Sequence, residues 1–129
     1  MPRTVDDVET YLYRLDRHFE RDGDAFIVSS GMADTPIVVL VHDPVLLIRV
    51  DIGKAPADEK RQLAVFRKLL QLNGKDLVHG SYGLEGDEIV LIAGLPIENL
   101  DLNELAAALA DIDLALAQHV QVLRELSLK

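Results

Sequence analysis

The chain contains no cysteine. Disulfides, thiolate nucleophiles and cysteine-based zinc sites are therefore excluded together, and a reducing compartment is allowed. Aromatic residues make up only 5% of the sequence, which leaves few platforms on which nucleobases can stack. Basic residues are outnumbered, with 13 Lys and Arg against 22 Asp and Glu, for a net charge of -9. Such a surface repels phosphate backbones. The basic residues do not cluster either, since Arg14, Arg17 and Arg21 are interleaved with Asp16, Glu20 and Asp22. Nucleic acid is not an expected partner. No apolar run approaches the roughly 18 residues that a membrane span needs. The densest patches, PIVVLV and PVLLIRV, have the length of strands. The opening MPRTVDDVETYL is charged and helix-forming, unlike a secretory leader. The expected location is cytoplasmic, with no membrane partner.

Catalytic patterns are missing as well. The histidines His18, His42, His79 and His119 form no i, i+4 pair and no H-E-x-x-H, so each is expected as a lone surface or edge residue rather than a metal ligand. Asp22 and Asp24 flank Gly23 without the further carboxylates of a calcium loop, and read as a turn. Ser29, Ser30, Ser81 and Ser127 lie outside any G-x-S-x-G. Glu85 and Asp87 stand where a solvated hairpin places carboxylates. No catalytic residue, metal ligand or cofactor site is assigned, and the chain is not expected to be an enzyme.

One stretch needs a closer look. HGSYGLEGDEIVL, residues 79–91, carries glycine at every third position: Gly80, Gly83 and Gly86. A phosphate loop runs from a strand into a helix N-terminus, where backbone N–H groups and the helix dipole face the anion. Here a helical segment comes before the glycines and a strand-like one, DEIVLIAGLP, follows. The stretch is expected to be a hairpin turn with Gly86 at positive φ. Gly80 and Gly83 then belong to the preceding strand, where a missing side chain permits a bulge or a close approach.

What the chain does have is periodicity. With 49% hydrophobic residues, 129 residues suffice for one domain, residues 1–129, with a real core. Val5, Val8, Leu12, Leu15 and Phe19 recur at helical spacing, with Thr4 as N-cap and Asp7 in capping-box position. This predicts a first helix closed by RDGDA, with Gly23 as its C-cap. AFIVSS, IVVLVH and VLLIRVDI follow as strands, joined by GMADTP and by the Asp43-Pro44 turn. A second helix begins near Pro56, with Asp58 and Glu59 at its N-terminus. Its apolar stripe is Leu63, Phe66, Leu69, Leu70 and Asn73, and Asn73-Gly74 ends it. Two strands around Gly86 come next. The last helix is capped by Asp101 with Glu104, and carries the stripe Leu102, Leu105, Leu109, Ile112, Leu116, Val120 and Leu123. The expected fold is α+β: an antiparallel five-stranded sheet with three helices, in the order α-β-β-β-α-β-β-α.

In IVVLVH both alternating sets are apolar: Ile37, Val39 and Val41 on one side, Val38 and Leu40 on the other. Val45 and Leu47 extend the second set until Arg49 interrupts it. A sheet covered by helices on one face is normally polar on the other. The second face is either wrapped by helices or loops, or reserved for a partner chain. The stripe of Leu63, Phe66 and Leu70 poses the same choice, between a dimer seam and an ordinary core contact.

The element order, and above all DEIVLIAGLPIENLDLNELAAALADIDLAL, resembles the type III secretion chaperone (CesT/Tir-chaperone) superfamily, which includes the YbjN-type proteins. There too the fifth strand runs into a Leu-Pro step, and an L-x-x-L lead opens a long final helix. The resemblance implies a non-enzymatic, often homodimeric module that holds a client polypeptide on apolar surface. Carried onto this chain, it implies a dimer interface at Leu63, Phe66, Leu70 and Val78. It implies partner binding at Phe26, Val28, Val38, Leu40 and Leu47. A YbjN-like regulator or adaptor with one folded partner is the alternative. A small enzyme or ligand-binding protein would need converging polar groups that the sequence does not display.

Overall fold

The computed structural model describes residues 2–30 and 35–128, without the side chains of residues 127 and 128. Its elements run α1 (Val5–Arg14), β1 (Phe19–Asp22), β2 (Ala25–Val28), β3 (Ile37–His42), β4 (Val45–Lys54), α2 (Glu59–Lys75), β5 (Gly80–Glu85), β6 (Glu88–Pro96) and α3 (Leu102–Leu128). The expected α+β class holds, with three helices and an antiparallel sheet, but the sheet has six strands rather than five. Its spatial order is β1-β2-β3-β4-β6-β5. Residues 31–34 of the expected GMADTP connection lie outside the described residues.

The extra strand comes from an early end to α1. The helix starts as the sequence predicts, with Thr4 Oγ1 accepting from Asp7 N–H and Asp7 Oδ2 accepting from Thr4 N–H. These bonds hold the Asp7 carboxyl below its usual range. The helix closes at Leu15 rather than at Gly23. Asp16 takes a left-handed φ of 58°. Its N–H donates to Tyr13 O at 3.0 Å, and Arg17 N–H donates to Leu12 O at 3.1 Å. This is a Schellman closure built on aspartate, one of the few non-glycine residues that tolerate that conformation. Phe19 therefore belongs to β1, and Gly23, at φ 62°, turns the β1–β2 hairpin.

The glycine-rich stretch is a hairpin, as expected. Glu85 pairs with Glu88 across Gly86, whose φ is 60°. Gly80 lies within β5 because nothing larger fits comfortably. A Cβ there would stand 3.3 Å from Ile92 O and 3.4 Å from the Ile112 side chain.

Alternation sorts the strand residues between two faces. Phe26, Val28, Ile37, Val39, Leu46, Ile48, Val50, Leu91 and Ala93 point inward and are buried. Val8 and Leu12 of α1, Val65, Leu69 and Leu72 of α2, and Leu105, Leu109, Ile112 and Leu116 of α3 close over them in one core. The three helices thus cover one face of the sheet. α3 is long and apolar enough to cross a membrane by length and composition, but its apolar stripe is the centre of this core. Its N-terminus carries the expected capping box, with Glu104 N–H donating to Asp101 Oδ1 and Asp101 N–H to Glu104 Oε1.

Leu109 is fully buried where α3 meets the sheet. Leu109→Ala should lower unfolding free energy by about 2–5 kcal/mol, the range for core leucine truncations. Urea denaturation measures this, and a loss below about 1 kcal/mol would place α3 outside the core.

Candidate docking surfaces

The outward positions of the sheet are apolar in the middle. Across the strands, Ile27 of β2 stands opposite Val38 of β3, Val38 opposite Arg49 of β4, and Arg49 opposite Ile92 of β6. One row on, Ala25, Leu40, Leu47 and Gly94 stand in line. Ile27 is 45% and Val38 37% exposed, while Leu40, Leu47 and Ile92 are half-buried. Such a patch is hydrated at a cost in free energy until something covers it. Arg49 is the polar break. Its Nε donates to Asp51 Oδ1 at 3.0 Å and its Nη1 to Glu85 Oε2. The two carboxylates neutralise it.

The sequence-assigned partner residues divide between the two faces. Val38, Leu40 and Leu47 lie on this outer face, but Phe26 and Val28 do not. Both are fully buried in the helix-covered core, and Phe26 meets Phe19 edge-to-face at 5.6 Å between ring centroids. A partner cannot touch them without unfolding the domain. Their outward neighbour, Ile27, is the residue the sequence reading missed. Where both alternating sets of a strand are apolar, only the partner strands and helices decide which set faces out.

The assigned dimer residues sit elsewhere, on the solvent side of α2 and just beyond it. Val65, Leu69 and Leu72 are the buried stripe of that helix. Leu63 and Leu70, which the sequence reading placed in the stripe, are 70% and 71% exposed, Val78 is 82% exposed, and Phe66 is half-buried at the boundary. Asn73 does not end the helix, which continues through Gly74 to Lys75. Its side chain serves β5 instead: Nδ2 donates to Tyr82 O at 3.1 Å, and Oδ1 accepts from Tyr82 N–H at 2.7 Å.

That contact belongs to a wider arrangement along the β5 edge. Asp111 Oδ2 of α3 accepts from His79 N–H and Gly80 N–H, at 3.0 and 3.2 Å. The outward Gly80 N–H and both backbone groups of Tyr82 are thus already bonded to side chains. An edge strand occupied at these positions offers less to an incoming strand. Docking by side chains, rather than strand addition, is the mode this edge favours.

Behind Tyr82 lies a buried polar chain. His119 is only 4% exposed, which corrects the expectation of a lone surface or edge histidine. Its Nδ1 lies 2.9 Å from the Tyr82 hydroxyl and its Nε2 3.1 Å from Asp76 Oδ2, at the C-cap of α2. With the ring proton on Nε2, histidine donates to Asp76 and accepts from Tyr82, and every group is satisfied. Burial first, then the Asp111 and Asp76 carboxylates, push the Tyr82 phenol well above its ordinary value of 10.0. The chain ties α2, β5 and α3 together.

A surface cleft of about 350 Å³ is lined by Asp16, Arg17, His18, Ser29, Ser30 and Asp113. Arg17 Nη2 pairs with Asp113 Oδ2 at 2.6 Å, and Ser30 Oγ donates to Asp113 Oδ1. Among the described residues no group of three His, Cys, Asp or Glu side chains is placed to hold a metal ion.

The CesT_Tir_1 family model matches residues 1–129. No curated protein matches the chain in sequence. Solved structures share its fold at low identity. YbjN from E. coli is 13% identical with a TM-score of 0.65, each chain covering 90% of the other. An uncharacterized protein from Methanothermobacter thermautotrophicus is 14% identical with a TM-score of 0.66, over 93% of this chain and 96% of that one. A chain of the heterodimeric ExoU–SpcU complex, from the type III secretion system of Pseudomonas aeruginosa, is 16% identical. Its TM-score is 0.64, over 90% of this chain and 96% of that one.

The buried chain predicts a pH dependence. The raised Tyr82 pKa favours the neutral phenol in the folded state, so its contribution is complete below about pH 10. It is lost as pH rises further, because the unfolded tyrosine ionises first. Tyr82→Phe should cost about 1–3 kcal/mol near pH 8 by leaving His119 Nδ1 unsatisfied. It should also flatten the alkaline fall in urea midpoint relative to wild type. Parallel alkaline curves for the two proteins would contradict the burial of a neutral phenol here.

Proposed function

Because the chain belongs to the CesT_Tir_1 family, we propose that it is a non-enzymatic binding module that holds a partner polypeptide on the outer face of its sheet. The observation that carries this reading is the asymmetry of the two faces. All three helices close over the inner one, while Ile27, Val38, Leu40 and Leu47 remain outside that cover. Apolar surface of this kind contributes roughly 25 cal/mol per Å² when a partner buries it. The surrounding negative charge keeps the free protein dispersed. In this reading the module acts in the cytoplasm and needs no cofactor.

We further propose that two copies associate through α2. Leu63 and Leu70 are exposed on one stripe with Phe66 between them, and Val78 lies just past the helix end. The side-chain bonds to Gly80 and Tyr82 along β5 support a seam made by side chains rather than by a continuous sheet. The outer sheet face is left free for the partner in each copy.

Both parts are open to direct measurement. A fluorescent 14-residue peptide alternating Leu and Ser is expected to bind wild type by anisotropy and to lose at least about tenfold in affinity to Leu47→Asp, since a buried unpaired charge replaces an apolar contact. Equal binding to both proteins would remove the outer face from the model. Light scattering should give a dimer for wild type and a monomer for the Leu63→Asp/Leu70→Asp double variant. A wild-type monomer at all concentrations would rule out the α2 seam and favour a monomeric adaptor.

A further inference from the structure

We infer that the polypeptide held on the outer sheet face is cationic, with Lys or Arg flanking its apolar positions. The inference rests on the docking reading above and specifies the chemistry of its occupant. The apolar patch lies between two sets of carboxylates. On one side, Glu20 and Asp22 are the outward residues of β1, opposite Ile27 and Ala25. Asp43 marks the turn at the end of β3, beside Val45. On the other side stand Asp51 of β4, Glu85 of β5 and Glu88 of β6.

The cations on this face do not balance them. Arg49 is shared between Asp51 and Glu85, and Lys54 stands opposite Glu88 in register. Glu20 and Asp22 face Ile27 and Ala25, not cations, across the β1–β2 pair, and Asp43 lies in the turn beyond the His42–Val45 pair. From Val45 to Asp51 the face runs seven residues, six rises of a strand or roughly 20 Å, and across the sheet it spans about 24 Å. An extended segment of about seven residues crosses it with its ends over the two acidic margins. Apolar side chains then meet the middle while basic ones meet the rims.

Charge also argues against the other occupants. A second copy of this chain, net charge -9, would bring the same carboxylates together across a twofold axis. Phosphate-bearing partners are repelled by both margins. Complementary charge on a polypeptide sets orientation and association rate, and discriminates against acidic chains of equal hydrophobicity.

The test uses three fluorescent 14-residue peptides with the same Leu positions and Ser, Lys or Glu between them, titrated into the full chain at about 50 and 300 mM salt. The Lys peptide is expected to bind roughly tenfold tighter than the Ser peptide at low salt, the sum of several exposed ion pairs, and to lose most of that advantage at high salt. The Glu peptide is expected to bind most weakly. Asp22→Asn/Asp43→Asn should remove most of the Lys advantage, whereas Glu59→Gln/Glu125→Gln, on the helical layer, should leave it. Leu47→Asp adds negative charge, so loss of the Lys peptide in that variant identifies the outer face rather than diffuse attraction. Equal binding of the three peptides overturns the cationic occupant while the docking reading stands. Failure of the Ser peptide to bind wild type overturns the docking reading itself. Equal Lys-peptide loss in both neutralised pairs shows nonspecific attraction and also overturns the inference.

Discussion

The structure depends on an imbalance in apolar burial. Its six antiparallel strands carry two apolar faces, and the chain has helices for only one of them. Covering the inner face joins α1, α2 and α3 to the strands in a single core around Phe26, Ile48, Leu91 and Leu109. The outer face keeps Ile27, Val38, Leu40 and Leu47 at the price of hydrated apolar surface. An ordinary two-layer domain places polar residues there. Here the charges are moved to the margins, with Arg49 held in place by Asp51 and Glu85.

The opposite constraint operates along β5. Asp111 and Asn73 occupy its outward backbone groups at Gly80 N–H and Tyr82, and the Tyr82–His119–Asp76 chain fixes the same strand from within. One sheet edge is thereby partly blocked against strand addition, which limits unspecific pairing of a small sheet. In the proposed reading, interaction is directed to surfaces where side chains supply the specificity: the outer face and the solvent side of α2.

Much of this was legible from residue order. The capping boxes at Thr4 and Asp101, the hairpin at Gly86 and the core stripe of α3 rest on local chemistry, and local chemistry is what a sequence displays. Strand β1 was not legible, because Leu15 and Phe19 continue a helical spacing by coincidence. Asp16 breaks the helix by a conformation more often supplied by glycine. The candidate site was legible only by halves. Val38, Leu40 and Leu47 share the outer face, but Phe26 and Val28 belong to the other. A strand apolar on both sides gives no local sign of which way it turns. His119 looked isolated because its partners, Tyr82 and Asp76, are distant in sequence and meet it only through the packing of β5 and α2 on α3.

The central claim is that the outer sheet face receives a polypeptide. Methyl chemical-shift mapping of the Leu, Ile and Val side chains during titration with the Leu-Ser peptide tests it most directly. The account predicts shifts at Ile27, Val38, Leu40 and Leu47, with the inward methyls of Val28, Val39 and Ile48 nearly still. Shifts confined to Leu63 and Leu70 on α2, or no shifts at saturating peptide, would contradict it.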